Sequence, residues 1–296
     1  MTYRESKVLL LVGSMCTLLW LLFLTFAGLG RPATATATSF VYKNIFILAG
    51  QSNMAGRGGV VNDKWDGIVP SQCQPNPSII RLDAGLSWVS ATEPLHADID
   101  LNKTCGVGPG MAFANAVKSK DSSVGVIGLV PCAVGGTNIS QWMKGSHLYE
   151  QMVRRAQTAL QEGGTIRAIV WYQGESDTVS RADAEAYKGR MEKLIADWRA
   201  DLRSPNLHVI QVVLASGMGP FIGTVREAQL GIHLPNVMCV DAMGLPIEPD
   251  GLHLTTEAQV RLGQMLAAAY LNTMSTSLST SLSTSNARRI CYPFFC

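Results

Sequence analysis

Between Phe40 and Leu271 two kinds of segment alternate, and that alternation restricts the fold more than any other feature of the sequence. Apolar, largely β-branched runs at Val41–Leu48, Val124–Val130, Ile166–Tyr172, Val209–Leu214 and Val237–Val240 have no regular polar face. A strand with one wet side alternates apolar and polar residues. Continuous runs instead mark strands covered on both faces, the habit of parallel sheets. Helical periods lie between them. Tyr187, Met191, Leu194, Ile195, Trp198 and Leu202 fall on one face of a helix over Ala182–Leu202. Leu148, Met152, Val153, Ala156 and Leu160 repeat the pattern up to Gly163-Gly164, a helix stop. A last helix is expected to open with Thr256 and Gln259 at capping-box spacing and to bury Leu262, Met265, Leu266 and Tyr270. The expected architecture is one α/β domain, a three-layer sandwich whose central parallel sheet is flanked by helices.

Ala55–Cys105 interrupts the alternation. It holds Pro70, Pro75, Pro77, Trp65 and Trp88, with one hairpin expected between Ile79–Leu82 and Trp88–Ser90. An irregular stretch of this length inside a compact domain commonly builds a wall or lid for a site.

The flanks follow other rules. Val8–Leu29 is uncharged and apolar, long enough at about 1.5 Å per residue to span a bilayer core as a helix. It reads as a membrane anchor, while Ala33-Thr34-Ala35 and Ala35-Thr36-Ala37 offer cleavage sites for a secretory signal. Two sequons, at Asn102 and Asn138, agree with a lumenal or extracellular body, either anchored or secreted. The expected domains are therefore a leader over 1–39, a catalytic body over 40–272 and a Ser/Thr-rich, low-complexity tail over 273–296. Charge excludes other classes. Twenty-four basic against 22 acidic side chains leave +2, too little for nucleic-acid binding through bulk charge. Charged residues at 16% against 47% hydrophobic exclude global disorder. Of seven cysteines, Cys73 and Cys105 flank the irregular segment and are expected to staple it, whereas Cys132 and Cys239 read as buried thiols. No Cys or His spacing suits a metal, so neither a metal nor an organic cofactor is expected.

Chemistry gathers at strand ends, where open parallel sheets bind ligands. Ile45-Phe46-Ile47-Leu48 runs into Ala49-Gly50-Gln51-Ser52-Asn53-Met54, which places Ser52 where a nucleophile would sit. Asp250-Gly251-Leu252-His253 follows the last strand. A serine hydroxyl needs a base, and an imidazole needs an acceptor that fixes its tautomer; one turn can deliver both. Glu93-Pro94-Leu95-His96 has the same spacing and is the internal rival, placed lower because it lies in the irregular segment. Val134-Gly135-Gly136-Thr137 ends the second strand with backbone N–H groups that no side chain obstructs. Gln173, after the third strand, offers an amide. Together Ser52, Gly136 and Gln173 make a candidate three-donor oxyanion hole, with Gly135 as the alternative glycine and Glu175 as a buttress of its loop.

Gly-Gln-Ser-Asn, Gly-Gly-Thr, Trp-Tyr-Gln-Gly-Glu-Ser and Asp-x-x-His, in this order, resemble the SGNH-hydrolase superfamily, and more closely its sialate-O-acetylesterase-like branch that includes plant carbohydrate esterases. The resemblance covers about Phe40–Leu271 and takes in Cys105–Gly110 and Val225–Gln229, which have no evident chemistry. It implies a flavodoxin-like sandwich, Ser52 as nucleophile, His253 as base, Asp250 as its orienting acid, and Gln173 in place of the superfamily's oxyanion asparagine. The expected activity is hydrolysis of O-acetyl or other small acyl esters on a carbohydrate. Alternatives that keep the site are a glycan O-acyltransferase or a lipid esterase. An alternative outside enzymology is a silent, membrane-anchored glycan-binding module.

Overall fold

The chain divides into units Met1–Ser39 and Phe40–Cys296. A computed structural model describes residues 42–280 and 291–292, all within the second unit. The expected anchor or signal over residues 8–29 lies outside the described residues, as does most of the tail. Among the described residues no helix is long and apolar enough to cross a membrane.

Among the described residues eight strands form one sheet: β1 (Lys43–Gly50), β4 (Ile79–Leu82), β5 (Trp88–Ser90), β6 (Val126–Pro131), β7 (Thr165–Tyr172), β8 (His208–Val213), β9 (Val237–Asp241) and β10 (Cys291–Tyr292). Their spatial order is β10-β9-β8-β7-β1-β6-β4-β5, and every pairing is parallel except the β4–β5 hairpin. β1 is buried at all eight positions, which accounts for its lack of a polar face. The five long apolar runs are β1, β6, β7, β8 and β9, and the expected hairpin is β4–β5, added to the sheet edge through β6.

Helices α2 (Pro109–Lys120), α3 (His147–Gln161), α4 (Arg181–Asp201), α5 (Ile222–Leu230) and α6 (Thr256–Thr280) connect or close the strands; the short α1 (Ser52–Ala55) follows β1 directly. The chain steps one way from β1 to β6 and the other way from β7 to β9. Right-handed crossovers therefore put α2 on one face and the later crossover helices on the other. On the first face Phe46 meets Phe113 of α2 and Tyr270 of α6, ring centroids 4.9 Å away in both cases. α2 and α6 approach closely at Gly263, where a Cβ would stand 2.5 Å from Pro109 O. On the second face Trp171 lies edge-on between Trp142 and Trp198 at 5.2 and 5.4 Å.

Two helical details differ from expectation. The capping box at Thr256 and Gln259 does not form. Thr255 Oγ1 accepts the Ala258 N–H at 3.2 Å, and Gln259 Nε2 instead reaches Asn53 O at 3.1 Å. α6 also continues to Thr280, into the Ser/Thr-rich stretch, since extending a formed helix costs far less than nucleating one.

The irregular segment is held by close backbone contacts. A Cβ at Gly106 would lie 2.2 Å from Gly58 O, and one at Gly56 would lie 2.6 Å from Gly106 O. Those approaches explain the glycines of Cys105–Gly110, which then starts α2 with Pro109 in the first turn. A second hairpin pairs β2 (Val60–Val61) with β3 (Lys64–Trp65) across Asn62 and Asp63, both at positive φ as a tight two-residue turn demands. Cys73 and Cys105 do not pair. Both are free buried thiols, and Cys105 Sγ is turned toward Arg57 Nη1 at 3.5 Å. Burial pushes them up, to about 12 for Cys73 and about 11 for Cys105.

Candidate active site

A cavity of about 640 Å³ opens over the carboxyl end of β1. This is the reversal point of the strand order, where β1 separates β6 from β7. Gln51, Ser52, Arg57, Gly135, Gly136 and His253 lie in its wall, with the β2–β3 hairpin, Lys103-Thr104, Met218 and Glu248–Leu252 around them.

The exit from β1 fixes Ser52. Gly50 has φ +130°, and a Cβ there would stand 2.1 Å from Tyr172 O, so only glycine lets β1 and β7 end side by side. Gln51 N–H then donates to Tyr172 O at 2.9 Å, and the chain turns into α1. Ser52 is 5% exposed. Its Oγ lies 2.9 Å from His253 Nε2, across 201 residues of sequence. His253 Nδ1 lies 2.6 Å from Asp250 Oδ2.

The Asp250–His253 turn is built around the carboxylate. Asp250 Oδ1 accepts the N–H groups of Leu252 and His253 at 2.8 and 2.9 Å, leaving Oδ2 for the ring. Partial burial pushes this carboxyl upward, but those backbone donors and the imidazole outweigh it and hold Asp250 below the usual carboxylate range. Asn53, beside Ser52, grips the same turn. Its Oδ1 accepts Leu254 N–H at 2.9 Å, and its Nδ2 donates to Leu252 O at 3.3 Å and to Glu175 Oε1 at 2.8 Å. Glu175 is wholly buried, which raises it to about 7, and it reaches His253 only through Asn53.

The candidate donors separate into two groups. Gly136 has φ +74° with open space where a Cβ would be, and its N–H meets no protein acceptor among the described residues. Gly135 N–H is taken by Asp100 Oδ2 at 3.1 Å. Gln173, expected as the side-chain donor, is fully buried and absent from the cavity wall. Its amide nitrogen already faces Gln51 Oε1, Thr137 O and Asp177 Oδ2 at 3.2, 2.9 and 2.6 Å. Gln173 thus braces the strand end and the Gly-Gly-Thr turn, and its two amide hydrogens are fully engaged. Gln51 shows the reverse pattern. Its Oε1 is held by Gln173 Nε2, while its buried Nε2 has no partner among the described residues.

The rival pair is core. Glu93 Oε2 accepts Leu95 N–H at 3.1 Å, and His96 Nε2 lies 3.5 Å from Leu48 O. Burial raises Glu93 to about 8 and lowers His96 to about 3, which leaves both neutral near pH 7. Neither lines the cavity. The Val225–Gln229 motif also has a framework role. Arg226 holds Asp241 through two bonds of 3.0 and 2.9 Å, and Gln229 bridges Leu214 N–H and Gln173 O. Among the described residues no group of three or more His, Cys, Asp or Glu converges as a metal site. Sequence reasoning missed Asn53, Arg57, Asp100 and Gln259. Gln259 was visible only as a cap, and Asn53 only as part of a motif.

Strand order and the cavity at its reversal point are those of the doubly wound α/β class, whose members bind ligands beyond the carboxyl ends of the strands. Within that class the chain belongs to the carbohydrate esterases, its residues 42–272 matching the family described as "Carbohydrate esterase, sialic acid-specific acetylesterase". It is 60% identical over 235 residues to a probable carbohydrate esterase of Arabidopsis thaliana, At4g34215, covering 77% of this chain and 90% of that protein. The X-ray structure of the Arabidopsis protein aligns with TM-score 0.76 at 59% identity, over 78% of this chain and 98% of that chain. The crystal structure of NanS shares the fold at 17% identity with TM-score 0.65, over 79% of this chain and 98% of that one.

Proposed function

We propose that this esterase removes O-acetyl groups from a carbohydrate by double displacement. The reading is carried by the hydrogen-bonded line Ser52 Oγ, His253 Nε2, His253 Nδ1 and Asp250 Oδ2, at 2.9 and 2.6 Å, opening on a cavity roomy enough for a sugar. Ser52 Oγ attacks the acetyl carbonyl carbon while His253 Nε2 takes its proton. The C=O electron pair moves onto oxygen, and the N–H groups of Ser52 and Gly136 donate to the resulting oxyanion. His253 then gives its proton to the sugar oxygen as the ester C–O bond breaks. Water, deprotonated by the same imidazole, attacks the acetyl-enzyme; collapse of the second intermediate returns the proton to Ser52 and releases acetate. Asp250 keeps the ring in the tautomer whose Nε2 is free to accept.

Acetate release from a panel of acetylated glycans tests the reading, together with fluorophosphonate labelling mapped by peptide mass. Wild type is expected to turn over at least one member and to label at Ser52. Ser52→Ala should lose about 10⁴-fold or more in kcat. Labelling elsewhere, or turnover surviving in Ser52→Ala, would overturn it.

A further inference from the structure

Arg57 and Asp100 form an ion pair buried against the cavity floor, 6% and 2% exposed, and the double displacement leaves both without a task. Removing two charges from water is costly, and apolar replacements are often as stable, so packing alone is a weak reason for such a pair. Its surroundings supply a better one. Asp100 Oδ2 accepts the Gly135 N–H at 3.1 Å as well as Arg57 Nη2. A Cβ at residue 135 would stand 2.6 Å from Arg57 Nη2, 3.1 Å from Asp100 Oδ2 and 3.4 Å from Ser52 Cβ. Carboxylate, guanidinium and nucleophile therefore converge on one backbone amide, the one immediately before Gly136.

We propose that Asp100 is a positioning residue that fixes the Gly135-Gly136 turn, so that the Gly136 N–H points at the developing oxyanion, and that Arg57 is its counter-charge. The inference rests on the esterase reading of this cavity. A carboxylate is a strong acceptor for a backbone N–H, but a bare negative charge beside the site would oppose the oxyanion. Arg57 cancels that charge, and is itself aimed by Gly56 O at 2.9 Å and Cys105 Sγ at 3.5 Å. Asp100 reaches the turn on backbone that folds back on itself, its N–H donating to His96 O at 2.9 Å. The irregular segment thereby contributes to the oxyanion side of the site as well as to the cavity wall.

Two double variants separate holding the turn from neutralising charge. Arg57→Met with Asp100→Asn removes both charges and keeps a carbonyl oxygen that can accept from Gly135. Arg57→Met with Asp100→Leu removes both charges and the acceptor. On p-nitrophenyl acetate, kcat of the Leu version should fall about 10- to 100-fold below the Asn version, as misplaced catalytic groups do. KM should agree within about twofold, and the melting temperatures should not rank the two in the same way. NMR exchange of the Gly135 amide proton is the second readout, expected fast in the Leu version and protected in the Asn version and wild type. Equal kcat in the two doubles, or equal Gly135 protection, would overturn the proposal. So would a kcat difference that simply follows melting temperature. Wild type without turnover would defeat the esterase reading instead, and Gly135 exchange would still decide whether Asp100 holds the turn.

Discussion

Two turns of this chain carry an acid three residues before a histidine, and they have opposite fates. In Asp250–His253 the acid is 47% exposed at its side chain, two backbone N–H groups hold it, and its second oxygen faces the ring at 2.6 Å. In Glu93–His96 both side chains are buried in the core, and each keeps one polar atom without a partner among the described residues. Their hydrogen bonds run to backbone, Glu93 to Leu95 and His96 to Leu48. Burial then drives the two groups toward neutrality from opposite directions. Spacing brings an acid and an imidazole close along the chain. Water access and backbone donors decide whether the acid stays ionised and orients the ring.

The sharpest way to break the contrast is to delete each ring. His253→Ala should lower kcat by about 10⁴-fold or more with little change in melting temperature. His96→Ala should keep kcat within about threefold yet lose roughly 2–4 kcal/mol of stability, as a buried ring leaves a cavity. Reversed outcomes in paired kinetics and urea melts would move the base to residue 96. Asp250→Asn comes next, with a kcat loss of about 10²- to 10⁴-fold because the amide no longer fixes the ring tautomer. A loss under tenfold would leave Asp250 with no more than a turn-building role.

Asn53→Ala sharpens the contrast by loosening the active turn without touching the reacting groups. A fall of about 10- to 100-fold in kcat with KM nearly constant is expected from steady-state kinetics. The smallest effect is one of pH. Glu93 titrates near 8 in the fold and near 4.5 when unfolded, so the folded state holds the extra proton between those values. Stability must therefore decline as pH rises through that window, and Glu93→Gln should flatten the decline. Denaturant midpoints at pH 5 and 8 would show it. A difference between the two proteins that stays constant with pH would contradict the assignment.

Much of this was legible beforehand, for physical reasons. Continuous apolar runs such as Ile45–Ala49 report burial on both faces, so the parallel strands could be read directly. Ser52 follows the end of β1 and the Asp250–His253 turn lies in the loop after β9, on the rim where the topology dictates that ligands bind. Gln173 was misread because a sequence shows an amide but not which acceptors surround it; here Thr137 O and Asp177 take its hydrogens. Cys73 and Cys105 bracket a segment without periodicity, so nothing in their spacing told whether their sulfurs face one another. Arg57 and Asp100 were invisible for the same reason: they stand 43 positions apart, and only folding brings them together.

Asn53 has a mechanical role. It sits one residue from Ser52 and clasps the chain on both sides of His253, at Leu252 O and Leu254 N–H. Oxygen and imidazole are thus mounted on a common bracket, and their separation, on which a proton transfer between them would depend, is set through one side chain.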